Sequence, residues 1–115
     1  MNPVEKLTRR KTEILKEIAR LQPMRKGGIT EQFLYCTRKD GSKRKRGPYS
    51  VYSFKRGKQT VSRRLVSAPH RAVYREQIET FRRFQQLTAE LVEISQQLAD
   101  LAVAEGGDEK KRWRS

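Results

Sequence analysis

The chain has 115 residues, 27 of them Lys or Arg against 13 Asp or Glu, for a formal charge of +14 at pH 7. That size implies one modest core, and that imbalance calls for an anionic partner. No run approaches the ~20 apolar residues of a membrane span, the N-terminal Met1-Asn2-Pro3-Val4-Glu5-Lys6 lacks the apolar stretch of a signal peptide, and one cysteine with one histidine excludes an internal disulfide or a zinc site built by this chain alone.

Asn2 can cap a helix with Pro3 at its first position and Glu5 three residues after the cap. Val4, Leu7, Ile14, Ile18 and Leu21 recur at alternating steps of three and four, with Lys11 in the one gap. This predicts a helix over 3–22 with a seam of the coiled-coil kind, ended by Pro23 and Gly27-Gly28. The period then changes. Ile29 to Cys36, Tyr49 to Phe54 and Gln59 to Val66 are rich in β-branched and aromatic residues, and Arg56-Gly57-Lys58 reads as a compact turn. Three antiparallel strands are expected within 29–66, with a long first loop and a tight second one. Ser67 or Ala68 with Pro69 opens a last helix, expected over 69–104 and ~54 Å long. Its second half carries a clean seam of Phe84, Leu87, Leu91, Ile94, Leu98 and Leu101, and its first half a broader stripe of Val73, Tyr74, Ile78 and Phe81. Gly106-Gly107 stops it, and 106–115, with Trp113, reads as a disordered tail.

The predicted class is α+β, a single domain over 1–105. The two seams, equal in length, should zip antiparallel into a helical stalk, Leu21 near Phe84 and Val4 near Leu101. The aromatic half of the last helix should cover one face of the sheet, which forms a head. Two helices bury a thin core, so a homodimer with a four-helix stalk is expected; Leu15, Val92 and Val103 add apolar surface off the seam. Docking of the stalk on a larger protein of a mobile element is the rival arrangement.

Charge concentrates in the head. Residues 37–64 hold eleven cations, Arg38, Lys39, Lys43, Arg44, Lys45, Arg46, Lys55, Arg56, Lys58, Arg63 and Arg64, against the single acid Asp40. These are the candidate nucleic-acid contacts: Lys and Arg neutralise phosphates and release counterions, Arg can take a guanine edge, and a β-ribbon can enter the major groove. Tyr35, Tyr49, Tyr52 and Phe54 offer stacking on unpaired bases, with Tyr52 the candidate among them. Strand alternation puts Ser50, Tyr52 and Phe54 on one face and Tyr49, Val51 and Ser53 on the other, so one set should meet the helix and the other the nucleic acid. The stripe Lys6, Arg9, Arg10, Lys16 and Arg20 on the first helix is diluted by Glu5, Glu13 and Glu17 and reads as a solvated face with local ion pairs.

Catalysis needs convergent titratable groups, and none stand out. His70 lies beside Pro69 and Arg71 at a helix start, Cys36 falls in a strand-like run where burial is expected, and Asp40 has no second carboxylate with which to hold a metal. No cofactor is called for.

The run Gly28-Ile29-Thr30-Glu31-Gln32, Cys36, Gly47-Pro48-Tyr49, Gly57-Lys58-Gln59-Thr60, Arg64, Tyr74 and Phe81-Arg82-Arg83-Phe84 resembles an uncharacterised family of short basic bacterial proteins often encoded beside transposable elements. The resemblance covers about residues 25–103. That family's first loop usually carries several cysteines, which suggests a metal knuckle; here only Cys36 matches, and Lys and Arg occupy the rest. The resemblance implies a mobile-element context. By analogy of fold, Gly47 to Val66 with its following helix is similar to the three-stranded arm-site-binding domains of tyrosine integrases, in which a sheet lies in the DNA major groove. The expected function is non-enzymatic nucleic-acid binding, DNA more than RNA, as an accessory or regulator of a mobile element in the bacterial cytoplasm, at the nucleoid if the ligand is DNA. The alternatives are an RNA-binding subunit of a ribonucleoprotein and a coiled-coil adaptor for an acidic protein.

Overall fold

Asn2 does cap the first helix. Its side-chain oxygen accepts the Glu5 amide at 2.8 Å, which satisfies one orphan donor of a helix that begins at Pro3. The computed structural model describes residues 2–105, in the order α1 (Pro3–Arg20), β1 (Gly28–Thr37), β2 (Lys43–Arg56), β3 (Gln59–Leu65) and α2 (Ala68–Glu105). This is the predicted α+β arrangement, and the three strands form one antiparallel sheet in the order β1-β2-β3. The tail expected at 106–115, with Gly106-Gly107 and Trp113, lies outside the described residues. Among the described residues, no helix is long and apolar enough to cross a membrane. They fall into two compact units: the residues up to Leu21 with those from Arg82 onward, and Gln22–Phe81.

The first unit is a pair of helices. Ile14, Leu87 and Ile94 are buried, and Leu7, Ile18, Leu21, Leu91 and Leu98 pack against them. Each fully buried side chain of this kind contributes about 1.5–3 kcal/mol, which is why a seam at three-four spacing suffices to join two helices. Val4, expected on the seam, is exposed, so the packed run starts at Leu7. Ion pairs cross between the helices, Arg10 to Glu90 at 2.8 Å and Arg83 to Glu17 at 2.7 Å. As α1 advances from Arg10 to Glu17, α2 retreats from Glu90 to Arg83, so the helices run antiparallel, as the matched seams predict. Glu13 and Glu17 were expected to pair within α1. Glu13 does, with Arg10 at 3.3 Å, whereas Glu17 pairs across to α2.

The second unit is the sheet with the first part of α2. Ser67 opens that helix, its hydroxyl accepting the His70 amide at 3.2 Å. Tyr52, Leu65, Tyr74 and Ile78 are buried together, with Ile29 and Phe54 packed on them. Register explains the set: Ile29 pairs with Tyr52 and Tyr52 with Arg63, while Phe54 pairs with Val61 and Ser50 with Leu65. Directly opposed residues share a face, so this face looks toward α2. The other carries Thr30, Tyr49, Val51, Ser53, Lys55, Ser62 and Arg64.

The first loop differs from expectation. Lys43, Arg44, Lys45 and Arg46 belong to β2, opposite Thr37, Cys36, Tyr35 and Leu34 in turn. The reversal needs only residues 38–42: the Arg38 amide donates to the Ser42 carbonyl at 2.7 Å, and Asp40 Oδ1 accepts both the amide and the hydroxyl of Ser42, at 3.0 and 2.6 Å. Gly41 supplies the positive φ of +85°. Asp-Gly is a strong hairpin signal, and here it outweighs the poor strand propensity of four consecutive cations.

Candidate nucleic-acid interface

β3 pairs only with Ser50–Arg56 of β2. The far part of the β1–β2 hairpin, Leu34–Thr37 against Lys43–Arg46, therefore has no third strand, and every residue in it is exposed. It is a two-stranded arm about 10–13 Å long at ~3.4 Å per residue. A bulge sets its start. The register shifts between Gln32 and Leu34, and Gly47 there has φ +123°; a Cβ on it would stand 2.9 Å from the Gln32 carbonyl oxygen. Only glycine fits that approach.

The bulge also decides where the cations point. By register, Arg46 and Arg44 share the face of Leu34 and Cys36, which continues the face of Thr30 and Arg64 that is turned from α2. Lys45 and Lys43 share the other face, with Phe33, Tyr35 and Thr37. Lys45 Nζ, 3.9 Å from the centre of the Phe33 ring, agrees with that assignment. The arm is thus basic on both faces.

The remaining predicted contacts surround it. Arg38 and Lys39 are in the turn at the arm's tip, Lys55 and Arg56 end β2, Lys58 is in the β2–β3 turn, and Arg63 and Arg64 lie on β3; all are exposed. Arg64 lies over Tyr49, its guanidinium carbon 3.7 Å from the ring centre, on the face away from α2. Arg56 lies over Phe54 at 5.8 Å. Arg63 is on the α2 side and donates to the Tyr74 hydroxyl at 3.0 Å, so its guanidinium is partly engaged. Among the described residues, none of the eleven cations is ion-paired with a carboxylate; Asp40, the acid among them, is occupied by the turn. Ser42's hydroxyl, and then its amide, hold the Asp40 carboxyl below the ordinary carboxylate range.

Two expectations are corrected. Tyr52 is not an accessible stacking platform: it is 1% exposed, its ring lies edge-on to Tyr74 at 5.1 Å, and its hydroxyl donates to the Lys26 carbonyl. Alternation restricted the platform to one of two faces, and the helix took the face of Tyr52. Cys36, expected to be buried, is exposed, because no helix or third strand covers the arm.

Other residues were missed. Arg25 sits 4.2 Å from the Tyr74 ring centre and 5.2 Å from that of Tyr52, and its Nε donates to Gln77 at 3.0 Å. It fastens the segment entering β1 to the core of the sheet unit, and no sequence signal marks it. Phe33 and Leu34 are exposed on the arm. Their signal was available: four consecutive residues, Phe33-Leu34-Tyr35-Cys36, place apolar groups on both faces of a strand, and nothing else in the chain was assigned to cover the second face. No protein-family model matches the chain, and neither the curated proteins nor the solved structures gave a match.

Proposed function

We propose that the sheet unit binds nucleic acid, DNA in preference to RNA, through phosphate contacts from the β1–β2 arm and the face of the sheet turned from α2, and that it catalyses no reaction. The observation that carries this reading is the arm: four consecutive cations in strand register on both faces of an uncovered ribbon, none of them ion-paired among the described residues. A ribbon of two strands matches the width of the B-form major groove, whereas the A-form groove of RNA is too narrow for it. The charge favours a polyanion for a second reason, since like charges at this density repel one another and a bound polyanion relieves them.

Binding of a duplex DNA, measured over a range of salt, tests the reading. With about six phosphates neutralised, the logarithm of affinity should fall against the logarithm of salt with a slope of about −5. A slope shallower than about −2 would place the affinity elsewhere. Tighter binding to structured RNA would favour a ribonucleoprotein subunit, and loss of all binding at physiological salt an adaptor for an acidic protein. The resemblance to proteins encoded beside transposable elements supports an accessory role in such an element, acting at the nucleoid. The exposed Leu15, Val92 and Val103 of the helix pair support self-association as a dimer; a sedimentation mass near 13.5 kDa at tens of micromolar would reject it.

A further inference from the structure

Five aromatic side chains lie on the sheet, and four have partners. Tyr52 is in the core, Phe54 stacks on Tyr52 at 5.5 Å, Tyr49 lies under Arg64, and Phe33 lies under Lys45. Tyr35 differs. It is 68% exposed, and among the described residues its ring meets no other ring and no cation, and its hydroxyl makes no hydrogen bond. Lys45 stands directly across from it in register, yet places its ammonium over Phe33 instead. The Tyr35 ring is therefore largely open to solvent, in the middle of the arm, with Lys43 and Lys45 on its own face of the ribbon and Arg44 and Arg46 on the other.

We infer that Tyr35 stacks on an unpaired base, and that the ligand is DNA carrying a locally unpaired segment rather than uniformly paired duplex. The inference rests on the reading that the sheet unit binds nucleic acid, and it names the ligand class. An aromatic ring on a strand with cations on both sides is the composition of a single-strand platform: the ring takes the π-face of any base, and the cations hold the phosphates flanking it. In paired DNA every base face is already stacked, so the ring gains nothing there. Leu34, 51% exposed on the opposite face of the arm, is too small to stack and fits a wedge at the edge of the opening. Regular alternation along β1 puts Tyr35 on the side opposite Arg64, so stacking at the arm leaves the sheet's phosphate contacts free.

The experiment compares two ligands of one sequence, an intact DNA duplex and the same duplex with a short central bubble of mismatched bases, and three proteins, the unmodified chain, Tyr35→Ala and Tyr35→Phe. The unmodified chain should prefer the bubble by roughly 5- to 150-fold for one stacked base. Tyr35→Ala should lose that preference while its affinity for intact duplex and its salt slope stay unchanged, and Tyr35→Phe should keep it. Because Tyr35 is exposed, neither change should alter thermal unfolding. Equal binding of the two ligands by the unmodified chain, or an undiminished preference in Tyr35→Ala, would overturn the stacking while leaving phosphate binding in place. Absence of binding to either ligand would instead overturn the nucleic-acid reading itself. The same pair made in RNA separates the two sources of an unpaired base: a Tyr35-dependent preference seen with RNA alone would overturn the assignment to DNA.

Discussion

The two units use charge in opposite ways. In the helix pair, residues 2–21 and 82–105, eight Lys and Arg face seven Asp and Glu; in the sheet unit, residues 22–81, fifteen face four. In the helix pair, acids answer Arg10 and Arg83. Arg10 holds Glu90 with two hydrogen bonds of 2.8 Å and reaches Glu13, and Arg83 holds Glu17. These pairs are half-exposed, so each adds little to stability beyond setting how the two helices align. Among the described residues, the eleven cations of 37–64 in the sheet unit have no ion pair, while that unit buries a core of two tyrosines, a leucine and an isoleucine. What separates Arg10 and Arg83 from the cations of the hairpin is an acid within reach.

Charge removal breaks this comparison most sharply. Replacing Lys43, Arg44, Lys45 and Arg46 together with Thr, which retains strand propensity, should weaken DNA binding about a hundredfold or more at physiological salt and flatten the salt slope by roughly 3 to 4. Thermal stability should stay equal or rise as repulsion is relieved. Replacing Lys6, Arg9, Lys16 and Arg20 on α1 with Gln should leave affinity nearly unchanged. Equal losses from the two sets, measured by fluorescence anisotropy, would abolish the distinction between the units.

A smaller effect separates their cores. Leu87→Ala in the helix pair and Leu65→Ala in the sheet unit, both at positions no more than 2% exposed, should each cost about 2–5 kcal/mol. Hydrogen exchange should place the faster amides of each variant in its own unit first; the same pattern for both would mean that the units unfold as one.

The smallest effect is a pH dependence confined to the helix pair. The hydrogen bonds from Arg10 hold the Glu90 carboxyl below its ordinary range. A carboxyl depressed by folding stabilises the folded state above its unfolded value, about 4.3 for Glu, and loses that contribution as pH falls from there through the lower folded value. Glu90→Gln should therefore be slightly less stable than the unmodified chain at pH 7, and the difference should vanish in acid. Circular dichroism melts across that range measure it; a difference that persists at low pH would show that the substitution disturbs packing rather than charge.

By itself the sequence determined the elements and their order, because the signals are local. Asn2-Pro3 and Ser67 with Pro69 start helices, seams at three-four spacing identify the faces that pair, and β-branched and aromatic runs mark the strands. It also determined the charge, and hence the class of partner proposed. What the tertiary structure decided is what each side chain meets. Pairing drew Lys43 to Arg46 into a strand, since backbone hydrogen bonds to β1 and a closed Asp40-Gly41 turn outweigh local propensity. Docking of α2 on one of two faces consigned Tyr52 to the core and left Arg64 and Tyr49 outside, a choice that alternation alone leaves open because both faces carry aromatics. The end of β3's pairing at Ser50 left the arm uncovered, exposing Cys36 where a strand-like run predicts burial: exposure depends on whether a third strand or a helix reaches that far, and no residue within the run encodes that.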